Sequence, residues 1–187
     1  MQKSPNPKRT APPPTVSVRP ALASEQAIIE NLFQFYVYDF SEMIDPTSTD
    51  LTLNEIGLFN IRATLSAFWI EPNHWPMLIL SDGQIAGFAL INTISHCGLQ
   101  IDRNMAEFFV TRKYRRGGVA TQALHQILTT HHGVWEVAII DANTVAQNFW
   151  PSAIKSAPNT SNLNYLNHDQ SQWQGPIWTF TSRANQL

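Results

Sequence analysis

The chain has 187 residues, 43% hydrophobic and only 14% charged, with twelve Lys and Arg against fourteen Asp and Glu and a net charge of -2. That is long and apolar enough for one domain with a sizeable core, and its charge balance excludes a general nucleic-acid binder, which needs a broad basic face to displace counterions. No run of about 18 apolar residues occurs, so no membrane-spanning helix is expected, and the basic N-terminus lacks the apolar centre of a secretory signal, which predicts a cytoplasmic protein. Cys97 stands alone, so no internal disulfide forms, and a lone thiol fits a reducing compartment. No His, Cys or carboxylate cluster has zinc-ligand spacing, and no metal is expected.

Residues 1–14 carry five Pro and little that packs, which predicts a disordered tail before a domain spanning 15–187. TVSVRPAL alternates as a short strand does, and Ser24 offers an N-cap to the helix EQAIIENLFQFYVYDF, with Ile28, Leu32, Phe35 and Tyr36 on one face. SEMIDPTSTDLTLNEIG reads as a loop, and FNIRATLSAFW is ambiguous between helix and strand. MLIL and IAGFALI flank Ser81-Asp82-Gly83-Gln84, and an Asp-Gly pair between two apolar runs signals a hairpin. NMAEFFV is a third strand. Val119, Ala120, Ala123, Leu124, Ile127 and Leu128 then mark an amphipathic helix that Gly133 is placed to terminate. VWEVAII is a compact buried strand. Residues Asn143 to Ile154 form a helix with Ala146, Phe149 and Trp150 on one face and a kink or stop expected at Pro151. The segment holding Tyr165, Trp173, Ile177, Trp178 and Phe180 closes the sheet with one or two strands. The order predicts a mixed α/β domain, one sheet covered by helices.

From residue 21 onward there are eight basic side chains, and four of them, Arg112, Lys113, Arg115 and Arg116, lie within five residues of VTRKYRRGGVATQAL. A strand leads into this stretch, Gly117 and Gly118 turn it, and a helix follows. The first N–H groups of that helix have no internal partner and the macrodipole favours negative charge there, so a pyrophosphate is the natural guest. A Walker loop would need Gly-Lys-Ser or Gly-Lys-Thr, and a dinucleotide fold GxGxxG after a first strand; neither is present.

What is present is Arg115-x-x-Gly118-x-Ala120, and here the chain resembles the GNAT superfamily of acetyl-CoA-dependent N-acetyltransferases, whose pyrophosphate loop reads Q/R-x-x-G-x-G/A. FFVTRKY resembles the family's approach to that loop, and Asn143-x-x-Ala146-x-x-Phe149-Trp150 resembles the N-x-x-A-x-x-F-Y of its next helix. The resemblance implies a single-domain GNAT-like fold, a central mixed, mostly antiparallel sheet flanked by helices. It further implies acetyl-CoA as co-substrate, with the pantetheine arm beside the backbone of Phe109 and Val110. The diphosphate would then lie on Arg115, Arg116, Gly117, Gly118, Val119, Ala120 and Thr121, with Asn143 either a polar contact to pantetheine or the cap of its helix. Arg116 stands where these loops often carry Gly.

Glu107 is the candidate general base, because the family often places a carboxylate on this strand near the acyl group. Trp150 replaces the Tyr that serves many relatives as proton donor, and an indole N–H is no practical acid. Tyr36 and Asp39 are candidates for the acceptor groove. The reading is acetyl transfer to the primary amine of a small molecule or peptide, with no nucleic-acid or membrane partner. A non-catalytic acyl-CoA-binding or sensing module stands as the alternative. The many C-terminal Trp and Phe leave room for a homodimer.

Overall fold

The structure, a computed structural model, describes residues 13–44, 51–170 and 173–184; residues 1–12 of the expected tail, and part of the loop expected after the first helix, lie outside these. Its chain order is β1 (Val16–Pro20), α1 (Gln26–Ser41), α2 (Arg62–Ile70), β2 (Trp75–Ser81), β3 (Gln84–Asn92), β4 (Arg103–Val110), α3 (Val119–Thr130), β5 (Gly133–Ala138), α4 (Thr144–Ser156), β6 (Thr160–Gln170) and β7 (Trp173–Ser182). One seven-stranded sheet runs in the order β1-β2-β3-β4-β5-β7-β6. Every neighbouring pair is antiparallel except β4 with β5. Among the described residues no helix is long and apolar enough to cross a membrane.

The β2–β3 hairpin turns on Asp82 and Gly83 at φ 50° and 74°, the left-handed pair that a two-residue primed turn requires. The Asp82 carboxylate accepts the Thr15 N–H at 2.9 Å, tying the entry of β1 to this turn. Each sheet face carries a core. Met77, Ile91, Met105, Trp135 and Val137 pack under Leu124, Ile127 and Leu128 of α3 and Trp150 and Ile154 of α4. On the opposite face Leu78, Phe88, Leu90 and Phe109 pack under Ile29, Phe33 and Val37 of α1 and Leu65 and Phe68 of α2. The ambiguous FNIRATLSAFW is therefore a helix, its Leu65 and Phe68 three residues apart on one buried side.

Four local expectations are corrected. Ser24 caps nothing; residues Ala23–Glu25 form a 3-10 turn ahead of α1. There the Glu25 carboxylate accepts the Leu22 N–H at 2.9 Å and pairs with Arg19. The buried stripe of α1 is Ile29, Phe33 and Val37, with Ile28, Leu32 and Tyr36 at its margin. Phe35 stands roughly 200° around the helix from Phe33 at 100° per residue and is exposed. Gly133 does not stop α3, which ends at Thr130; at φ 120° it opens β5 where a Cβ would strike the Asp102 side chain. Of the kink or stop expected at Pro151, the stop does not occur, because α4 runs on to Ser156. Burial of Trp150, Ala153 and Ile154 on either side offsets the one helical bond that a proline cannot donate.

Candidate functional site

β4 and β5 pair through only two residue pairs, Arg103 with Trp135 and Asn104 with Glu136, and then part. Beyond that point the edge of β4 facing β5 has no strand partner among the described residues. The Thr111 N–H bonds to the Ala86 carbonyl at 2.8 Å, with Gly87 opposite Val110 and Phe88 opposite Phe109. Antiparallel alternation therefore turns the backbone groups of Phe109 toward β3 and those of Val110 into the cleft. Gly87 permits this end of the sheet to close up, because a Cβ there would collide with the Phe109 carbonyl.

The basic stretch leaves this strand directly. Residues Arg112–Tyr114 form one 3-10 turn, Arg116 and Gly118 both take positive φ (61° and 82°), and α3 begins at Val119. The Gln122 N–H closes the first helical turn onto the Gly118 carbonyl at 3.0 Å, which leaves the N–H groups of Val119, Ala120 and Thr121 without intrahelical partners. A Cβ added at Gly117 or Gly118 would meet nothing closer than 3.6 Å, so the space before the helix is open. The four cations do not act alike. Arg115 folds back, its Nε donating to the Val110 carbonyl at 2.7 Å and its Nη2 to Asp39 Oδ2 at 2.6 Å. Arg112 takes the other Asp39 oxygen at 2.6 Å. Burial alone would raise the Asp39 carboxyl, but hydrogen bonds from Arg115 and Arg112 outweigh it and hold the group below its ordinary value. Asp39 thus fastens the end of α1 to the loop. Among the described residues Arg116 is exposed and makes no ion pair.

Glu107 lies three residues before Val110. In the β3–β4 register Leu90 opposes Glu107 while Ile91 opposes Met105, so Ala106 is an extra residue in β4. This bulge lets Ala106 and Glu107 both leave the α3–α4 core, to which Met105 and Phe108 belong, for the α1–α2 side. There the carboxyl enters a cavity of about 220 Å³ whose walls include Phe33, Tyr36, Val37 and Phe40 of α1. Desolvation pushes it up to about 7, partly offset by the neighbouring Tyr36 phenol and the charge of His96. The Tyr36 hydroxyl is itself held well above the usual phenol range by burial and by Glu107, so it stays protonated.

The residues that sequence reasoning passed over surround Glu136, a fully buried carboxylate on β5. It accepts from the Ser95 hydroxyl (2.6 Å), the His96 N–H (2.7 Å) and the His96 ring Nδ1 (3.0 Å), pinning the β3–β4 connection across the sheet. Burial would raise it, but the bonds from His96 and Ser95 prevail and lower it. The His96 ring packs edge-on to Trp173 at 4.5 Å between centroids. The signal was Glu136 as the one charge in the apolar run VWEVAII.

The sequence matches the Acetyltransferase (GNAT) family over residues 39–152. The chain belongs to the GNAT acetyltransferase family. An acetyltransferase from Thermus thermophilus superposes with a TM-score of 0.62 at 10% identity, covering 90% of this chain and 97% of that one. A GNAT-family acetyltransferase from Streptococcus agalactiae gives 0.62 at 12% identity, over 91% and 96%. A spermidine N-acetyltransferase from Vibrio cholerae, solved with CoA and spermine, gives 0.54 at 10% identity, over 88% and 94%. At these identities the likeness is one of fold. No functionally curated protein matches the sequence. Family and fold support acyl transfer from acetyl-CoA.

The remaining residues singled out in this GNAT chain fall as follows. Asn143 caps α4, its side-chain oxygen accepting the Ala146 N–H at 3.0 Å. Trp150 is buried against Phe108 and Phe149, at 5.3 and 5.2 Å between centroids. Tyr165 is exposed on β6. Burial pushes the Cys97 thiol up, which keeps it a thiol. Among the described residues no group of three or more His, Cys, Asp or Glu is arranged to hold a metal.

Proposed function

We propose that this GNAT protein acetylates a primary amine directly, with Glu107 as general base. The observation that carries this reading is Glu107 itself, a carboxyl brought to about 7 at the open end of β4, three residues before a backbone turned into the cleft. Acetyl-CoA supplies the activated acyl thioester. The residues suited to hold it are Val110 along the cleft and the 115–121 loop. There the N–H groups of Val119, Ala120 and Thr121, the open space at Gly117 and Gly118, and Arg116, which has no ion pair among the described residues, fit a diphosphate. Phe109 contributes to this end of β4 through its ring, over which the Arg115 guanidinium sits at 5.3 Å. The Val110 N–H faces the side on which a developing oxyanion needs a donor.

In the transfer the amine nitrogen bonds to the acyl carbon as the C–S bond breaks. Glu107 takes the proton that the attacking nitrogen gives up, and a base near 7 is matched to that task at neutral pH. Tyr36, held protonated, orients Glu107 and is a poor acid, so the thiolate leaves and gains its proton through solvent. Trp150, buried where many relatives carry Tyr, favours a second reading, an acyl-CoA-binding module without turnover.

The test is thermal stabilisation by acetyl-CoA beside ADP and NAD, followed by thiol release with amines. The reading requires stabilisation by acetyl-CoA that is lost in Arg116→Glu. If acetyl-CoA gives no shift, both readings fail.

A further inference from the structure

The cavity at Glu107 restricts what the amine is. It lies between α1, the segment entering α2, and β4, with a volume of about 220 Å³. Pockets for drug-sized ligands run roughly 300–1,000 Å³, so the guest is compact. Its walls include the rings of Phe33, Tyr36, Phe40 and Phe59 and the aliphatic Ile61, while Thr64 and Asn60 are exposed at its rim. Among the described lining residues Glu107 is the only carboxylate. The next acid along α1, Asp39, offers no second anionic subsite, because Arg112 and Arg115 occupy both its oxygens. Glu42 is exposed and shares Arg112 at 3.8 Å.

We infer that the acceptor is a compact monoamine with an apolar, aromatic-sized body, seated among the Phe rings with its single nitrogen at Glu107. This rests on the acetyltransferase reading above. A polyamine would bring further ammonium groups into a space where, among the described lining residues, only Glu107 can carry a counter-charge, and an unpaired buried cation is costly. A monoamine places its one amine on the one carboxylate among the described lining residues and buries the rest.

The experiment compares phenylethylamine, spermidine and a lysine-containing peptide as acceptors, with wild type and Thr64→Trp, whose indole would fill the mouth. Phenylethylamine should exceed the other two in kcat/KM by about tenfold or more, the discrimination an apolar pocket can supply. Thr64→Trp should remove most of that activity and leave thermal stabilisation by acetyl-CoA intact. Turnover of spermidine or the peptide equal to or above that of phenylethylamine overturns the monoamine inference and leaves the acetyltransferase reading standing. If nothing is acetylated while acetyl-CoA still stabilises the protein, the acetyltransferase reading fails. Calorimetric titration of phenylethylamine alone then decides the cavity: binding lost in Thr64→Trp supports a monoamine site, and no binding overturns it.

Discussion

Glu107, as the proposed general base, would serve chemistry at the expense of stability. Its folded value of about 7 lies above its ordinary 4.5 because burial disfavours the charged form. Its contribution to stability is therefore full below about pH 4.5 and is lost as pH rises through 7. A shift of that size is worth on the order of 3 kcal/mol. Glu107→Gln, neutral throughout, should be more stable than wild type at pH 8 and indistinguishable from it at pH 4 in urea melts. The same variant should lose roughly 10²–10⁴ in kcat if Glu107 is the base, while its thermal shift with acetyl-CoA persists. In wild type, kcat/KM for the amine should rise with pH through about 7.

β3 and β4 approach closely because Gly87 has no side chain to meet the Phe109 carbonyl. Gly87→Ala should cost about 1–3 kcal/mol as overpacking and weaken acetyl-CoA binding, since displacing Phe109 also displaces Val110; a thermal melt and a titration read the two effects. The end of α1 reaches the loop through Asp39, which takes Arg112 and Arg115 at 2.6 Å each. Groups sharing one partner are not additive. In a urea double-mutant cycle, Asp39→Ala with Arg115→Ala should therefore destabilise by less than the sum of the single changes, and added salt should shrink the difference.

At the scale of the whole molecule the titrating groups pull in opposite directions. Glu25, lowered to about 2 chiefly by Arg19, together with Asp39 and Glu136, contributes stability above the ordinary carboxylate range that is lost as pH falls through the folded values. His131, whose burial holds its ring below the imidazole value, also opposes folding once the unfolded ring protonates below 6.5. Glu107 acts in the other sense, losing stability as pH rises. The midpoint of urea unfolding should accordingly peak near about pH 6 and decline on both sides. Acetyl-CoA at a hundred times its Kd should add about 2.7 kcal/mol, or roughly 5–10 °C in Tm for a chain of this size.

Features set by neighbours in sequence were legible in the sequence. The Asp82-Gly83 turn, the glycine-bearing basic loop into α3 and the Asn143 cap each depend on residues within a few positions of one another, so the order of elements and the family motif could be read directly. Features that join distant residues could not. Asp39 lies 73 and 76 residues from Arg112 and Arg115, and Glu136 lies 41 from Ser95. The buried side of α1 and the survival of α4 past Pro151 likewise depend on what the sheet presents to them. The sequence by itself determined that a strand runs through a basic, glycine-bearing turn into a helix N-terminus. Only the tertiary structure decided which charges are paired there and that Glu107 faces a largely aromatic cavity, because desolvation and ion pairing are properties of the groups that packing brings together.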